Sequence, residues 1–549
     1  MKKIIICFAM LCISVSVSVA QNLDPTVEVT RGYKVELAEV HKPYMDMAVP
    51  DSVQKFDLDF EYSVTDSPYR GSYEFNPYVM DLKPQTAGET PTVLYLNAGA
   101  GYTVNPVFDI VYSPVLDGKF SVGLFGHHES YIGDYRAPHI GGVQAGAGFK
   151  SGYDLLSGAS ADFGYDWEKA EMGLGVSYYG VAVKDDLHKD DFNALDARFS
   201  VKSKSLWSQS FFYNIAVDYR FGANSEVREH VVGLNAKFGP VIRSRHKVFL
   251  GIGGSFVKYD KALQTAYGSA YVLPHYKYVT NWFKADLGAR VSYVYSNNEV
   301  FARKNQYVYP EVYVDCNIKD AMRLYLNVTG GEELNTYSSL LDRNHHFHMK
   351  YQLRDNALLG SSLVRVRPEF GIEGKITNFF SYDFKTGYSL TAASPVSALV
   401  YMDGAYAPAL GYADMQTWYA GLDWNLSLKS FRFYGGLKYT HLMSMQQEPE
   451  NVYFVRPSEW TMNASAVYNW NKRLFVGVDC VAASSGKTYD AAVYVPYYVD
   501  LGAFAEYVVN KKFSVWLRGG NLLDMEIQMN PLYAEKGINF TAGFCLNLQ

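Results

Sequence analysis

The last thirteen residues, GINFTAGFCLNLQ (537–549), separate into two lists when alternate positions are read. Ile538, Phe540, Ala542, Phe544, Leu546 and Leu548 form an apolar list; Asn539, Thr541, Gly543, Cys545, Asn547 and Gln549 form a polar one. A strand directs successive side chains to opposite faces, so the stretch has one apolar and one polar face. The same design recurs upstream. Phe283, Ala285, Leu287, Ala289, Val291, Tyr293 and Tyr295 alternate with Lys284, Asp286, Gly288, Arg290 and Ser292. Met322 to Thr329, Ala420 to Lys429 and Thr461 to Trp470 repeat it. The polar lists carry Lys, Asp and Arg in mid-strand. At about 3.3 Å per residue, strands of this length cross the roughly 25 Å apolar band of an outer-membrane barrel when tilted.

The connections alternate as well. Tight polar turns are expected at Glu168-Lys169, Thr280-Asn281, Asn317 to Asp320, Thr377-Asn378, Lys429-Ser430, Asn471-Lys472 and Asn510-Lys511. Long segments lie between them, at 331–361, 392–411, 444–457, 485–495 and 521–536, and the stretch 130–153 reads as a further outer loop. Short turns on one side and long loops on the other are the arrangement of an outer-membrane barrel, short turns facing the periplasm. Counting back from the terminus predicts an all-β, antiparallel transmembrane barrel over 92–549, of about 22 strands within a range of about 20–24.

The N-terminus supplies the compartment. Lys2 and Lys3 precede an apolar run that closes on Ser18-Val19-Ala20, a secretory signal (1–20) with cleavage after Ala20. Cys7 and Cys12 follow Ile6 and Leu11, which disfavours a lipoprotein signal. Export through such a signal and a barrel wall together imply the outer membrane of a diderm bacterium, with its lipid as a partner. The composition agrees: 46 Tyr, 32 Phe and 8 Trp make aromatics 16% of the chain at a mean hydropathy of only -0.13, as girdles around a polar lumen require. A net charge of -6 argues against a nucleic-acid partner. Cys316, Cys480 and Cys545 remain after cleavage, an odd number inside or beside strand-like runs, and read as small strand residues.

At Phe513 to Asp524, FSVWLRGGNLLD, and through the closing strand, the chain resembles the end of a TonB-dependent outer-membrane receptor. The resemblance implies a large barrel that takes up a scarce nutrient, such as a metal chelate, cobalamin or a glycan, with energy from an inner-membrane complex. It implies TonB, or another periplasmic partner, at the N-terminal segment 21–91. That segment departs from the family: it is shorter than the receptors' plug and carries no plug motif, so it reads as a reduced plug or a linker. Pro25 followed by Thr26, Val27, Glu28, Val29 and Thr30 is a TonB-box-like stretch; an ordinary linker or strand is the competing reading.

Dedicated chemistry is sparse. His345, His346 and His348 are candidate metal ligands, since neutral imidazole binds transition metals. Without a Cys or carboxylate at fixed spacing, a solvated loop is the expectation. His127 and His128 are strand neighbours that face opposite sides and cannot chelate together. Ala98-Gly99-Ala100-Gly101 lacks the Lys-Ser/Thr of a phosphate loop, and no GxSxG, HExxH or CxxC occurs. No catalytic residue and no cofactor is expected. Lys284, Asp286, Arg290, Arg323 and Asp423 would line the lumen, most simply as ladders of opposite charge that satisfy each other. The functional expectation is solute uptake or passage; the alternative is a non-transporting barrel that scaffolds or helps assemble other outer-membrane proteins.

Overall fold

The computed structural model describes residues 93–548, except 103, 117, 135–138, 141–142, 145–150, 185–188, 205–210, 243–244, 297–304, 319–321, 347–358, 403–404, 446–451 and 488–493. The signal 1–20, the segment 21–91 with its TonB-box-like stretch, His348 and Gln549 therefore lie outside the described residues.

Twenty-two strands form the wall, each antiparallel to its neighbours. They are β1 (Leu94–Tyr102), β2 (Val107–Tyr112), β3 (Phe120–Asp134), β4 (Ser151–Asp166), β5 (Ala170–Lys184), β6 (Lys189–Ser203), β7 (Phe211–Ala223) and β8 (Val227–Ile242). β9 (His246–Lys261), β10 (Ala266–Val279), β11 (Phe283–Ser296), β12 (Gln306–Ile318), β13 (Met322–Asn335), β14 (Gly360–Thr377), β15 (Phe380–Met402) and β16 (Ala405–Ser427) follow. β17 (Phe431–Met445), β18 (Trp460–Trp470), β19 (Leu474–Ala483), β20 (Tyr498–Asn510), β21 (Phe513–Gly520) and β22 (Asn539–Leu548) complete the wall. β22 pairs with β1 from Leu94↔Leu548 to Tyr102↔Phe540, so the sheet closes and has no edge.

The alternation is realised as read. On β22, Phe540 and Phe544 are exposed on the outer face while Thr541, Cys545 and Asn547 are buried toward the lumen. On β11, Leu287, Val291, Tyr293 and Tyr295 face outward and Ser292 inward. Exposed Tyr102, Tyr178, Tyr219, Tyr293, Trp418 and Trp460 ring one end of the wall; Phe120, Trp167, Trp282, Phe379 and Trp470 ring the end with short turns. Two aromatic girdles around an outward apolar band define an outer-membrane barrel. Among the described residues no helix is long and apolar enough to cross a membrane.

The seam explains Ala98 to Gly101. A Cβ on Gly101 would overlap the backbone carbonyl of Phe540, and one on Gly99 would enter the Trp516 ring, which lies over the seam from the lumen. The small residues serve close strand approach.

Two expectations need correction. The segment 392–411 is not a loop: β15 runs on to Met402 and β16 begins at Ala405, and the two stay paired to those ends. The edge of β15 there is covered by the short strand Val452–Phe454. The outer loop assigned to 130–153 is narrower, because β3 reaches Asp134 and β4 begins at Ser151.

Candidate functional site

The lumen wall is a set of paired charges. Lys284 Nζ lies 3.8 Å from Asp315, Arg290 is 3.0 Å from Glu332, Arg323 is 2.6 Å from Glu373 and Lys385 is 3.0 Å from Asp423. Asp286 holds the His275 imidazole at 2.7 Å, and Arg290 also stacks on the Tyr271 ring at 3.8 Å. Lys284, Arg323 and Asp423 thus each have an opposite partner on the adjacent strand, Arg290 reaches Glu332 two strands away, and Asp286 is hydrogen-bonded to His275 on β10. His127 accompanies them on the inner face, 2.5 Å from Asp109, whereas His128 points outward to Ser157 at 2.8 Å.

The mouth at the long-loop end is built differently. Beyond β13 the chain forms α1 (Tyr337–Arg343), capped by Thr336, whose hydroxyl accepts from the Ser339 amide at 3.1 Å. The helix does not stay beside its own strand. Tyr337 donates its phenol to Asp190 on β6 at 2.6 Å, and its amide donates to Glu229 on β8 at 2.7 Å. The Ser338 hydroxyl donates to the same Glu229 at 2.9 Å and accepts from Arg220 on β7 at 2.7 Å. Asp342 faces Tyr179 on β5. His345 meets Asp154 on β4 at 3.0 Å, and His346 stacks on Tyr533 of the β21–β22 connection with ring centroids 4.0 Å apart. Going round the wall, β4 and the β21–β22 connection are nearly opposite β13. Residues 336–346 therefore cross the mouth.

Apolar packing accompanies the polar contacts. Leu340, Leu341 and Leu359 are fully buried among Phe192, Val227, Val257, Tyr259 and Tyr267, at the mouth ends of β6, β8, β9 and β10. The tip of the β15–β16 hairpin packs through Leu399 against Val455, Val495 and Leu532 from three other connections. Burial beside Asp190 raises the Tyr337 phenol well above its ordinary range. Burial likewise raises the Asp342 carboxyl, against the Tyr179 hydrogen bond and the charges of Arg220 and His345.

The histidine cluster is thus split. His345 is 2% exposed, so the solvated-loop expectation does not hold there. Among the described residues no group of three or more His, Cys, Asp or Glu side chains is placed to hold a metal ion. Cys316 and Cys480 lie on the outer face, Cys545 on the inner, and none forms a disulfide. The Glu229, Asp190 and Arg220 contacts were not foreseen. The one signal was Leu340-Leu341 following a Thr cap inside a segment that otherwise reads as loop.

The stretch resembling receptor ends also acquires a structural role. Asn521 takes a left-handed backbone (φ 45°) and its side chain donates to the carbonyls of Met525 and Lys536 and accepts from the Met525 amide. Asp524 accepts from Ile538. Asn521 and Asp524 clasp the two ends of the last long connection.

No family model matches the sequence, and no curated protein matches it. Solved structures do. The chain is similar to the siderophore receptor PirA from Acinetobacter baumannii, at 11% identity and a TM-score of 0.58 over 83% of this chain and 80% of that one. It is similar to the FrpB iron transporter from Neisseria meningitidis (F5-1 variant), at 10% identity and a TM-score of 0.62 over 84% and 83%. A copper transporter, OprC, matches at 11% identity and a TM-score of 0.62 over 85% and 82%. The chain has the barrel fold of these receptors and transporters, as the likeness of Phe513 to Asp524 to TonB-dependent receptors implied.

Proposed function

We propose that the protein passes a polar solute across the outer membrane through its lumen, as a receptor or channel rather than an enzyme. The observation that carries this reading is the wall. A closed 22-strand barrel encloses a wide lumen, lined here by paired charges suited to a hydrated solute. The names of the similar structures, receptor and transporter, favour transport over the scaffold alternative. The solute class on this reading is a scarce nutrient such as a metal chelate, cobalamin or a glycan. TonB is the proposed energy-coupling partner, through 21–91 and its stretch Thr26, Val27, Glu28, Val29 and Thr30. The test is accumulation of labelled metal chelates, cobalamin and glycans by cells with and without the chain, before and after the proton-motive force is dissipated. One solute should accumulate only with the chain and only when energised. Equal accumulation of every solute in both strains overturns the reading.

A further inference from the structure

Glu229 is wholly buried at the mouth end of β8. Three donors converge on its carboxylate: the Tyr259 hydroxyl at 2.6 Å, the Tyr337 amide at 2.7 Å and the Ser338 hydroxyl at 2.9 Å. Tyr259 is its cross-strand neighbour, but the other two belong to the crossing segment. A buried carboxylate is tolerated only when donors satisfy it. The wall therefore carries an acid whose full complement of donors is present only while α1 is docked.

The pattern repeats along the segment. Asp190 on β6 receives the Tyr337 phenol, and Asp154 on β4 holds His345. Three acids, on β4, β6 and β8, thus grip the two ends of one segment, Glu229 and Asp190 at Tyr337–Ser338 and Asp154 at His345. Leu340 and Leu341 fill the apolar space between those grips. Such an attachment is reversible by construction. A seal made of hydrocarbon alone has no good alternative to burial, whereas Asp154, Asp190 and Glu229 regain water when the segment leaves, which offsets part of the cost of release. The far end, His346 against Tyr533, closes the span onto the loop clasped by Asn521.

We propose that residues 336–346 are a releasable seal of the barrel mouth, latched by Glu229, Asp190 and Asp154. The inference rests on the transport reading above, since a seal matters only if the lumen is a passage.

The test uses the full chain in planar bilayers for conductance and in nanodiscs for amide hydrogen exchange. In the wild type, α1 amides should be protected to the level of the mouth end of β8, and the bilayer should be close to silent. Glu229→Ala removes the shared acceptor. It should speed α1 exchange by about tenfold or more, the scale of losing hydrogen bonds to a charged acceptor, and leave β18 to β22 unchanged. Open-channel steps should appear together with that release. Should Glu229→Ala fail to fold, Tyr337→Phe removes the hydroxyl's bonds to Asp190 and Asn224, leaves Glu229 in place and should give a smaller change in the same direction. Wild-type α1 amides that exchange as fast as exposed turns overturn the seal. So does a variant that frees α1 while the bilayer stays silent. Channel steps without accumulation of any solute sink the transport reading and leave the seal standing; accumulation that freeing α1 does not alter does the reverse.

Discussion

The membrane wall and the mouth of this barrel bury polar groups by opposite strategies. In the wall most charges meet a partner on the adjacent strand, as Lys284 meets Asp315 and Lys385 meets Asp423, so their pairing follows from register. At the mouth, Glu229, Asp190 and Asp154 meet donors more than a hundred residues away, brought by a segment that crosses the opening. The wall contacts form with the sheet. The mouth contacts form only if a separate segment docks, and the difference predicts where the molecule can open without losing its barrel.

The largest effect should come from the seam. Gly101→Ala places a methyl group onto the Phe540 carbonyl, and the expected outcome is loss of the closed barrel. Loss of the heat-modifiable, folded band in gel electrophoresis reads it, and a normally folded variant would show that the seam is looser than described. Next comes Leu340→Ala, in a side chain 1% exposed at the mouth. Truncating a buried Leu costs about 2–5 kcal/mol. Here that cost should fall on α1 protection in hydrogen exchange while the unfolding midpoint of the wall stays unchanged. A shift of the whole unfolding transition would mean that mouth and wall are one cooperative unit.

A smaller effect is expected from pH. The Asp342 carboxyl is raised by burial, with Tyr179 from β5, Arg220 from β7, His345 from its own segment and Asp196 from β6 around it. A raised carboxyl disfavours the charged folded form. Its contribution to docking is therefore full below the ordinary carboxylate range of about pH 4 and is lost as pH rises through the raised value. Exchange of α1 amides, corrected for intrinsic rates, should quicken over that rise, and Asp342→Asn should flatten the dependence. A flat profile in the wild type would remove Asp342 from the account. The smallest change belongs to the lumen ladder. Arg323 and Glu373 are partly exposed on the lumen face, so Arg323→Ala should shift stability by no more than about 1 kcal/mol. A larger loss measured by denaturation would give the ladder a weight comparable to the mouth latch.

The period-2 pattern made the wall legible because each wall strand obeys a local rule: lipid on one side, lumen on the other. Phe540 and Phe544 against Thr541 and Cys545 could be assigned to faces from the sequence alone, and the tight turns fell where polar pairs interrupt the alternation. The rule fails beyond the membrane band. At 392–411 the chain is Ala, Ser, Pro, Val and Gly rich and reads as loop, yet it continues as strands because Val396, Leu399 and Ala413 are buried against Val455, Leu532 and Phe454 from other connections. His345 reads as a solvated imidazole for the same reason; its partner Asp154 is 191 residues away.

The sequence by itself determined a closed barrel, its strand number to within a range of about 20–24, the faces of its strands and the side on which the long loops lie. Those properties follow from alternation and spacing, which act over a few residues. Only the tertiary structure decided that α1 spans the mouth, that Glu229 receives it, and that Asn521 and Asp524 clasp a loop instead of marking a site. Those contacts join positions remote in the chain, and their energy comes from buried polar groups finding donors, a match that no local pattern encodes.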